Sequence, residues 1–166
     1  MSEKFHWAEN LTNEKWQAEM LWSEMKELLE VANRTDILTD PVILDLGGGK
    51  GELAKYLNST DSAQCVSMEM KKVPANPEAS QIRADAYQMP FADESFNIIY
   101  SRGALDTSLY PHDFKKLLPE MVRVLQKKGV FCTWEAGEIS REDLEQYFKF
   151  VGGDASTLSL WEKISE

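Results

Sequence analysis

The sequence predicts a doubly wound α/β domain. Its sheet is mostly parallel with helices on both faces, one helix is added in front, and the C-terminal strands are abbreviated. Three observations lead there. Apolar runs at Val42–Leu46, Gln64–Met70, Gln81–Ala84, Phe96–Ser101 and Val130–Trp134 alternate with stretches of helical period, the sequence form of successive β-α-β crossovers. Val42–Leu46 is nearly continuous in apolar residues, as a strand covered on both faces is. Gly47-Gly48-Gly49-Lys50-Gly51 joins that run directly to a helix, the sharp turn beside which sheets of this kind bind ligands.

In chain order, residues 1–10 read as a loose arm. From about Asn13 to Asn33, Trp16, Met20, Trp22, Met25, Leu28, Leu29 and Ala32 recur at helical period. With Trp7, this aromatic stripe anchors the helix on the domain; a lid over a substrate pocket is the sharper reading of the same residues. Pro41 ends the linker and Val42 starts the first strand. A helix follows from about Gly51 to Asn58, with Leu53, Tyr56 and Leu57 inward. Pro74 and Pro77 argue against a long helix in Lys71–Ser80, because each removes an amide donor and restricts the residue before it. Helical period returns between His112 and Gln126. Pro119 divides it into a short helix ending near Leu118 and a second with the proline in its first turn. Lys127-Lys128-Gly129 makes a turn into Val130–Trp134. Ser140 and Asp143 predict a capped helix over residues 141–150, stopped by Gly152–Gly153. Thr157–Trp161 is a last strand of open direction. The whole of 1–166 is read as one domain, with 1–40 as arm and helix and 41–166 as the α/β core.

Composition narrows the function. Of 166 residues, 43% are hydrophobic and 28% charged, a globular balance. Lys and Arg number 18 against 28 Asp and Glu, for a net charge of −10. That disfavours a broad basic footprint for nucleic acid or anionic lipid. No apolar run reaches the ~20 residues of a membrane span, and the polar start lacks a signal peptide's apolar stretch. Cys65 and Cys132 each lie in an apolar strand, which predicts two buried thiols in a reducing cytoplasm. His6 and His112 are the only histidines, and no cysteine pair has ligand spacing, so no metal is expected.

The chemistry-bearing stretch is Asp45-Leu-Gly47-Gly-Gly49-Lys-Gly51. Asp45 ends the strand, and the glycines let a ligand approach the backbone. A phosphate-gripping loop is excluded, because Gly51 follows Lys50 where Ser or Thr is needed. Gly49, Gly51 and Ala54 do fit a dinucleotide spacing, so an NAD-dependent oxidoreductase stays open at this point. Glu69, eighteen residues past Gly51, ends the second strand where a carboxylate accepts from ribose hydroxyls. Asp85 follows the third strand. It either adds a further ligand acid or caps the turn before Tyr87.

These pieces, with Met89-Pro90-Phe91, Asp93-Glu-Ser95-Phe96 and Glu120-Met-Val-Arg123 through Gly129-Val130, lie in one order between Val42 and Glu135. In that order the chain resembles the class I, Rossmann-like S-adenosylmethionine (SAM)-dependent methyltransferases. The resemblance implies that Asp45, Gly47, Gly49 and Gly51 hold the methionine half of SAM and that Glu69 holds the ribose. It implies Met70 beside adenine, Asp85 on the adenine amino group and the Ala86 amide on a ring nitrogen. It departs from the family in Asn97, where the usual residue is Asp, and in the short segment after the fifth strand. SAM has no phosphate, so a glycine turn lacking a dedicated cation suits it, and its sulfonium favours acids and aromatic faces.

Methyl transfer from a sulfonium needs alignment and water exclusion, and a base only where the acceptor must lose a proton. The candidates after the fourth strand are Ser101, Arg102, Asp106, Tyr110 and His112. His112 reads first as a solvated helix-start residue, and Arg102 pairs with either an anionic acceptor or Asp106. Tyr87 and Tyr110 wall the site or simply pack. The strand-four end, Tyr100-Ser101-Arg102-Gly103, lacks the motif of nucleobase amine methylation. The expected acceptor is therefore a small molecule, with a protein substrate or a partner subunit as alternatives. A silent SAM-binding module, or an activating subunit of another protein, is the second reading.

Overall fold

A computed structural model describes residues 14–60, 62–70, 79–105, 112–134, 139–154 and 158–164. The chain runs α1 (Glu14–Val31), a short 3-10 turn (Thr35–Leu38), β1 (Val42–Leu46), α2 (Glu52–Ser59), β2 (Gln64–Glu69) and β3 (Gln81–Arg83). It continues through β4 (Phe96–Arg102), α3 (Phe114–Val124), β5 (Leu125–Trp134), α4 (Arg141–Glu145), β6 (Phe148–Gly153) and β7 (Ser159–Lys163). One seven-stranded sheet results, in the order β3-β2-β1-β4-β5-β7-β6. The five strands from β3 to β5 pair in parallel, and β7 lies antiparallel between β5 and β6.

The doubly wound expectation holds, and alternation along the strands explains why. Ile43, Cys65, Ile98, Tyr100, Val130 and Cys132 form one buried layer with α1 and α2. Leu44, Leu46, Met68, Ile99 and Phe131 form the other with α3 and α4. Successive strand side chains point to opposite faces, so each strand of the parallel block needs apolar residues in both phases. Both cysteines are free and buried, as their strand positions predict. At the start of β4, the Asn97 Oδ1 accepts from the Val42 amide at 2.8 Å. An aspartate oxygen would accept the same bond, so Asn97 keeps this link between β1 and β4.

Five expectations need correction. Residues 114–124 form a single helix with Pro119 inside it. The proline stands on the exposed side, while Leu117, Leu118, Met121 and Val124 bury a continuous stripe, and that packing outweighs one missing ladder bond. β5 begins at Leu125, and the predicted turn at Lys127–Gly129 survives only as an irregularity in its pairing with β4, at Lys128 with φ 58°. The helix predicted over 141–150 stops at Glu145. Ser140 does cap it, accepting from the Asp143 amide at 3.0 Å. Phe148 and Phe150 then leave as strand residues, because aromatic side chains suit a pleated surface and Phe150 packs edge-on to Trp161 at 5.2 Å. The C-terminal strand pair is complete; the abbreviation falls on α4, with five residues. Finally, α1 is held by Ala18, Trp22, Met25 and Leu29, while Trp16 is 57% exposed. Two residues turn a helix by about 200°, so Trp16 cannot share the face of Ala18. The N-terminal arm, with Trp7, and the proline-bearing stretch through Glu78 lie outside the described residues.

Candidate functional site

The glycine turn is shaped by its surroundings, position by position. Gly49 has φ +56° and nothing within 4 Å of where a Cβ would stand, so its surface faces open space. Gly48 is the opposite. A Cβ there would come within 2.2 Å of both the Asp45 Oδ2 and the Ser67 Oγ, so the chain crosses directly over the ends of β1 and β2. Gly47 and Gly51 are pressed against Ala104 and Ala79. The turn is tied down from β2 and β3: the Gly47 amide donates to the Met68 carbonyl at 2.7 Å, and the Gln81 Nε2 donates to the Gly49 carbonyl.

Three carboxylates stand at the carboxyl ends of β1, β2 and β3. Asp45 is 5% exposed. Burial, reinforced by the charge of Glu69, pushes its carboxyl up to about 7. Asp45 and Ser67 are register partners on one face, and the buried Ser67 Oγ has no hydrogen-bond partner among the described residues. Glu69 spans the gap between strand and turn, with Oε2 accepting from the Gly49 amide at 3.3 Å and Oε1 from the Met70 amide at 2.9 Å. Met70 itself is 46% exposed, just past the end of β2. Asp85 is exposed and Ala86 buried. The Asp85 Oδ1 accepts from the Tyr87 amide at 2.8 Å. The turn-cap reading of Asp85 therefore holds. It occupies one oxygen of a group with about four acceptor sites.

The loop carrying Asp85 is clamped by α3. The Glu120 Oε2 accepts from the Met89 amide at 3.0 Å, and the Arg123 guanidinium donates to the carbonyls of Phe91 at 2.8 Å and Met89 at 3.0 Å. Arg123 also pairs with Asp93 at 2.8 Å and with Glu120, whose carboxyl it holds below the usual range. The separate motifs at Met89–Phe91, Asp93 and Glu120–Arg123 are thus one piece of structure. Tyr87 joins it, its hydroxyl accepting from the Asp113 amide at 2.9 Å.

The catalytic candidates among the described residues do not gather in one place. Ser101 is buried on the α3 face, whereas Tyr100 and Arg102 point to the α1 face. His112 reaches the Ala104 carbonyl through Nε2 at 2.9 Å, tying the loop after β4 to the start of α3. Asp106 and Tyr110 lie outside the described residues. Under α1, beside Tyr100 and Arg102, is a cavity of about 550 Å³. Its walls include Met20, Glu24, Leu28, Trp134 and Leu158. α1 is therefore both an anchored helix and one wall of a chamber. Tyr100 is the register partner of Asp45, so the chamber adjoins the glycine turn across a single strand spacing. Sequence reasoning missed Gly48, Ser67 and Gln81. The unbroken run Gly47-Gly48-Gly49 is a visible signal for Gly48; Ser67 and Gln81 matter only through the strand pairing.

The family described as "Methyltransferase domain" matches residues 44–133. A phthiotriol/phenolphthiotriol dimycocerosates methyltransferase of Mycobacterium tuberculosis is 35% identical over 98 residues, 54% of this chain and 35% of that protein. A glycine/sarcosine/dimethylglycine N-methyltransferase of Actinopolyspora halophila is 25% identical over 125 residues, 68% of this chain and 22% of that protein. The chain thus spans roughly a fifth to a third of the length of these relatives. Among solved structures, a candidate S-adenosyl-L-methionine-dependent methyltransferase of Methanococcus maripaludis superposes with a TM-score of 0.56 at 16% identity, over 96% of this chain and 98% of that one. That likeness is one of fold. The family match covers more than half of the sequence and includes the end of β1, the glycine turn, Glu69, Asp85 and the clamp at Arg123, so this chain belongs to the methyltransferase domain family, whose methyl donor is S-adenosylmethionine.

Proposed function

We propose that this chain transfers a methyl group from SAM to a small-molecule acceptor, and that 1–166 works as one catalytic domain. One observation carries the reading: Asp45, Glu69 and Asp85 stand at the carboxyl ends of three adjacent parallel strands, the edge at which Gly49 leaves its surface open and donates its amide to Glu69. The residues present suit the donor. The Gly49 surface admits it, the buried Asp45 carboxylate stands where a cation offsets its desolvation, and no lysine or arginine needs to meet a phosphate. In this reading Asp45 with Gly47, Gly49 and Gly51 holds the methionine half. Glu69 accepts from ribose hydroxyls, Met70 packs beside adenine, Asp85 accepts from the adenine amino group and the Ala86 amide donates to a ring nitrogen.

Bound SAM supplies a methyl group on a sulfonium whose leaving group is a neutral thioether. What the chain adds is alignment and exclusion of water. No base is assigned to it. Among the described candidates, Ser101 is buried on the α3 face and His112 reaches the Ala104 carbonyl through Nε2; Asp106 and Tyr110 stay candidates for an acceptor that must lose a proton. Ala54, on α2, is fully buried, a packing position equally compatible with a dinucleotide; the family match favours the sulfonium.

Titration calorimetry with SAM, followed by transfer of labelled methyl to a panel of small metabolites, tests the reading. Micromolar binding with turnover on at least one acceptor supports it. Binding without turnover anywhere favours a silent module or an activating subunit. Protection by NAD and none by SAM overturns it.

A further inference from the structure

The chamber under α1 has a mostly apolar lining with polar groups on its sheet side. Its volume of about 550 Å³ falls within the ~300–1,000 Å³ of small-molecule sites. Most of the wall is apolar, supplied by α1 and Leu158. Two polar groups stand out at its sheet side. Tyr100 is only 2% exposed, yet its hydroxyl has no hydrogen-bond partner among the described residues. A buried, unpaired hydroxyl costs free energy unless a ligand or water satisfies it. Two residues on, and on the same face, the Arg102 guanidinium lies 4.3 Å over the Trp134 ring. It has no ion pair with any described residue.

We propose that this chamber takes the methyl acceptor, and that the acceptor is an amphipathic carboxylate whose apolar body lies along α1 and whose carboxylate is held by Arg102 and the Tyr100 hydroxyl. The proposal rests on the reading of the glycine turn as the SAM site, because Tyr100 is the register partner of Asp45. A planar guanidinium and a hydroxyl together match a carboxylate. Glu24 and Glu27 on the α1 wall oppose a dianionic phosphate more than a monoanion. Both glutamates are exposed, so water already solvates them and they have less need of a ligand cation than Tyr100 has of a partner.

Three probes with one apolar body separate the possibilities: dodecanoate, dodecanol and dodecylammonium, each titrated into the full chain with and without SAM. Dodecanoate is expected to bind about tenfold more tightly than dodecanol, a typical worth for a charge-assisted contact. Arg102→Gln should erase that preference while leaving dodecanol and SAM affinities within about twofold. Tyr100→Phe should reduce the preference by a smaller factor. Equal binding of the three probes, tighter binding of dodecylammonium, or an unchanged preference in Arg102→Gln each overturns the proposal. SAM titrated into the same samples keeps the two readings apart. A carboxylate preference without SAM binding sinks the cofactor assignment; SAM binding without the preference sinks the acceptor class.

Discussion

The two halves of the sheet's carboxyl edge are built differently. On the β1–β3 side, acids and glycines sit at strand ends, and a single stretch of about forty residues carries nearly everything: Asp45, the turn, Glu69 and Asp85. On the β4–β5 side, a tyrosine, an arginine and a tryptophan line a chamber whose opposite wall is α1, from the far end of the chain. The first half is specified locally and the second by tertiary assembly. The donor is the same molecule throughout the family, and its recognition needs a fixed constellation. The chamber that we propose for the acceptor is composed from elements that only the fold brings together.

Substitutions can separate the halves, and the largest effect is expected from Trp22→Ala. Trp22 is 5% exposed in the layer joining α1 to the sheet, and truncating a buried tryptophan costs about 3–5 kcal/mol. Chemical denaturation should report that loss, while the remaining folded protein binds SAM normally. A parallel loss of SAM affinity would show that α1 belongs to both halves.

Next comes Asp45→Asn, with opposite effects on stability and binding. In the unfolded chain this carboxyl releases its proton near 3.8, whereas the folded chain holds it up to about 7. The folded state therefore binds more protons between those values and loses stability as pH rises through that window. Asparagine removes the penalty. Its apo protein should be more stable than the parent at pH 8, on the order of 2–4 kcal/mol, and no different at pH 3. SAM affinity should fall in the same variant. Thermal melts at the two pH values check the first part and calorimetry the second.

Gly48→Ala and Gly49→Ala sharpen the contrast inside the turn. A Cβ at Gly48 meets Asp45 and Ser67, so the turn must shift, at about 1–3 kcal/mol. At Gly49 the Cβ meets nothing, and only its φ of +56° resists, at about 1 kcal/mol. Circular dichroism and melting should therefore find Gly49→Ala the closer to the parent. Gly49→Val should stay folded but bind SAM poorly, by filling the approach path; unchanged affinity there would contradict the placement of the turn. Smallest is Asp85→Ala. It removes one turn hydrogen bond at about 1 kcal/mol and a ligand acceptor, so SAM affinity should fall severalfold in a protein that melts nearly as before.

This division matches what a reader of the sequence can see. Val42–Leu46, the glycines and the strand-end acids are legible because each signal is local: an apolar run, a residue lacking a Cβ, a carboxylate at a known offset. The failures are equally physical. Pro119 is tolerated mid-helix because the stripe from Leu117 to Val124 is buried by tertiary packing, which no proline rule contains. Phe148 and Phe150 leave the helical phase because Trp161, on a strand still to come, offers a partner. Trp16 and Trp22 look alike in the sequence, and only docking on the sheet decides which is buried. The Tyr100 hydroxyl and the Arg102 guanidinium, neither with a hydrogen-bond or ion-pair partner among the described residues, have no sequence signature at all. Their meaning comes from what α1 leaves open above them.

The most direct test of the donor site is calorimetry of SAM binding at pH 6 and pH 8 in buffers of different ionisation enthalpy, on the parent and on Asp45→Asn. A cation beside Asp45 draws its proton off. The parent should therefore release close to one proton on binding SAM at pH 6, release little at pH 8, and bind more tightly at the higher pH. In Asp45→Asn that proton release should vanish. A parent that does not bind SAM, or binds it with the same affinity and no proton release at both pH values, would contradict the assignment of Asp45 and its turn to the donor.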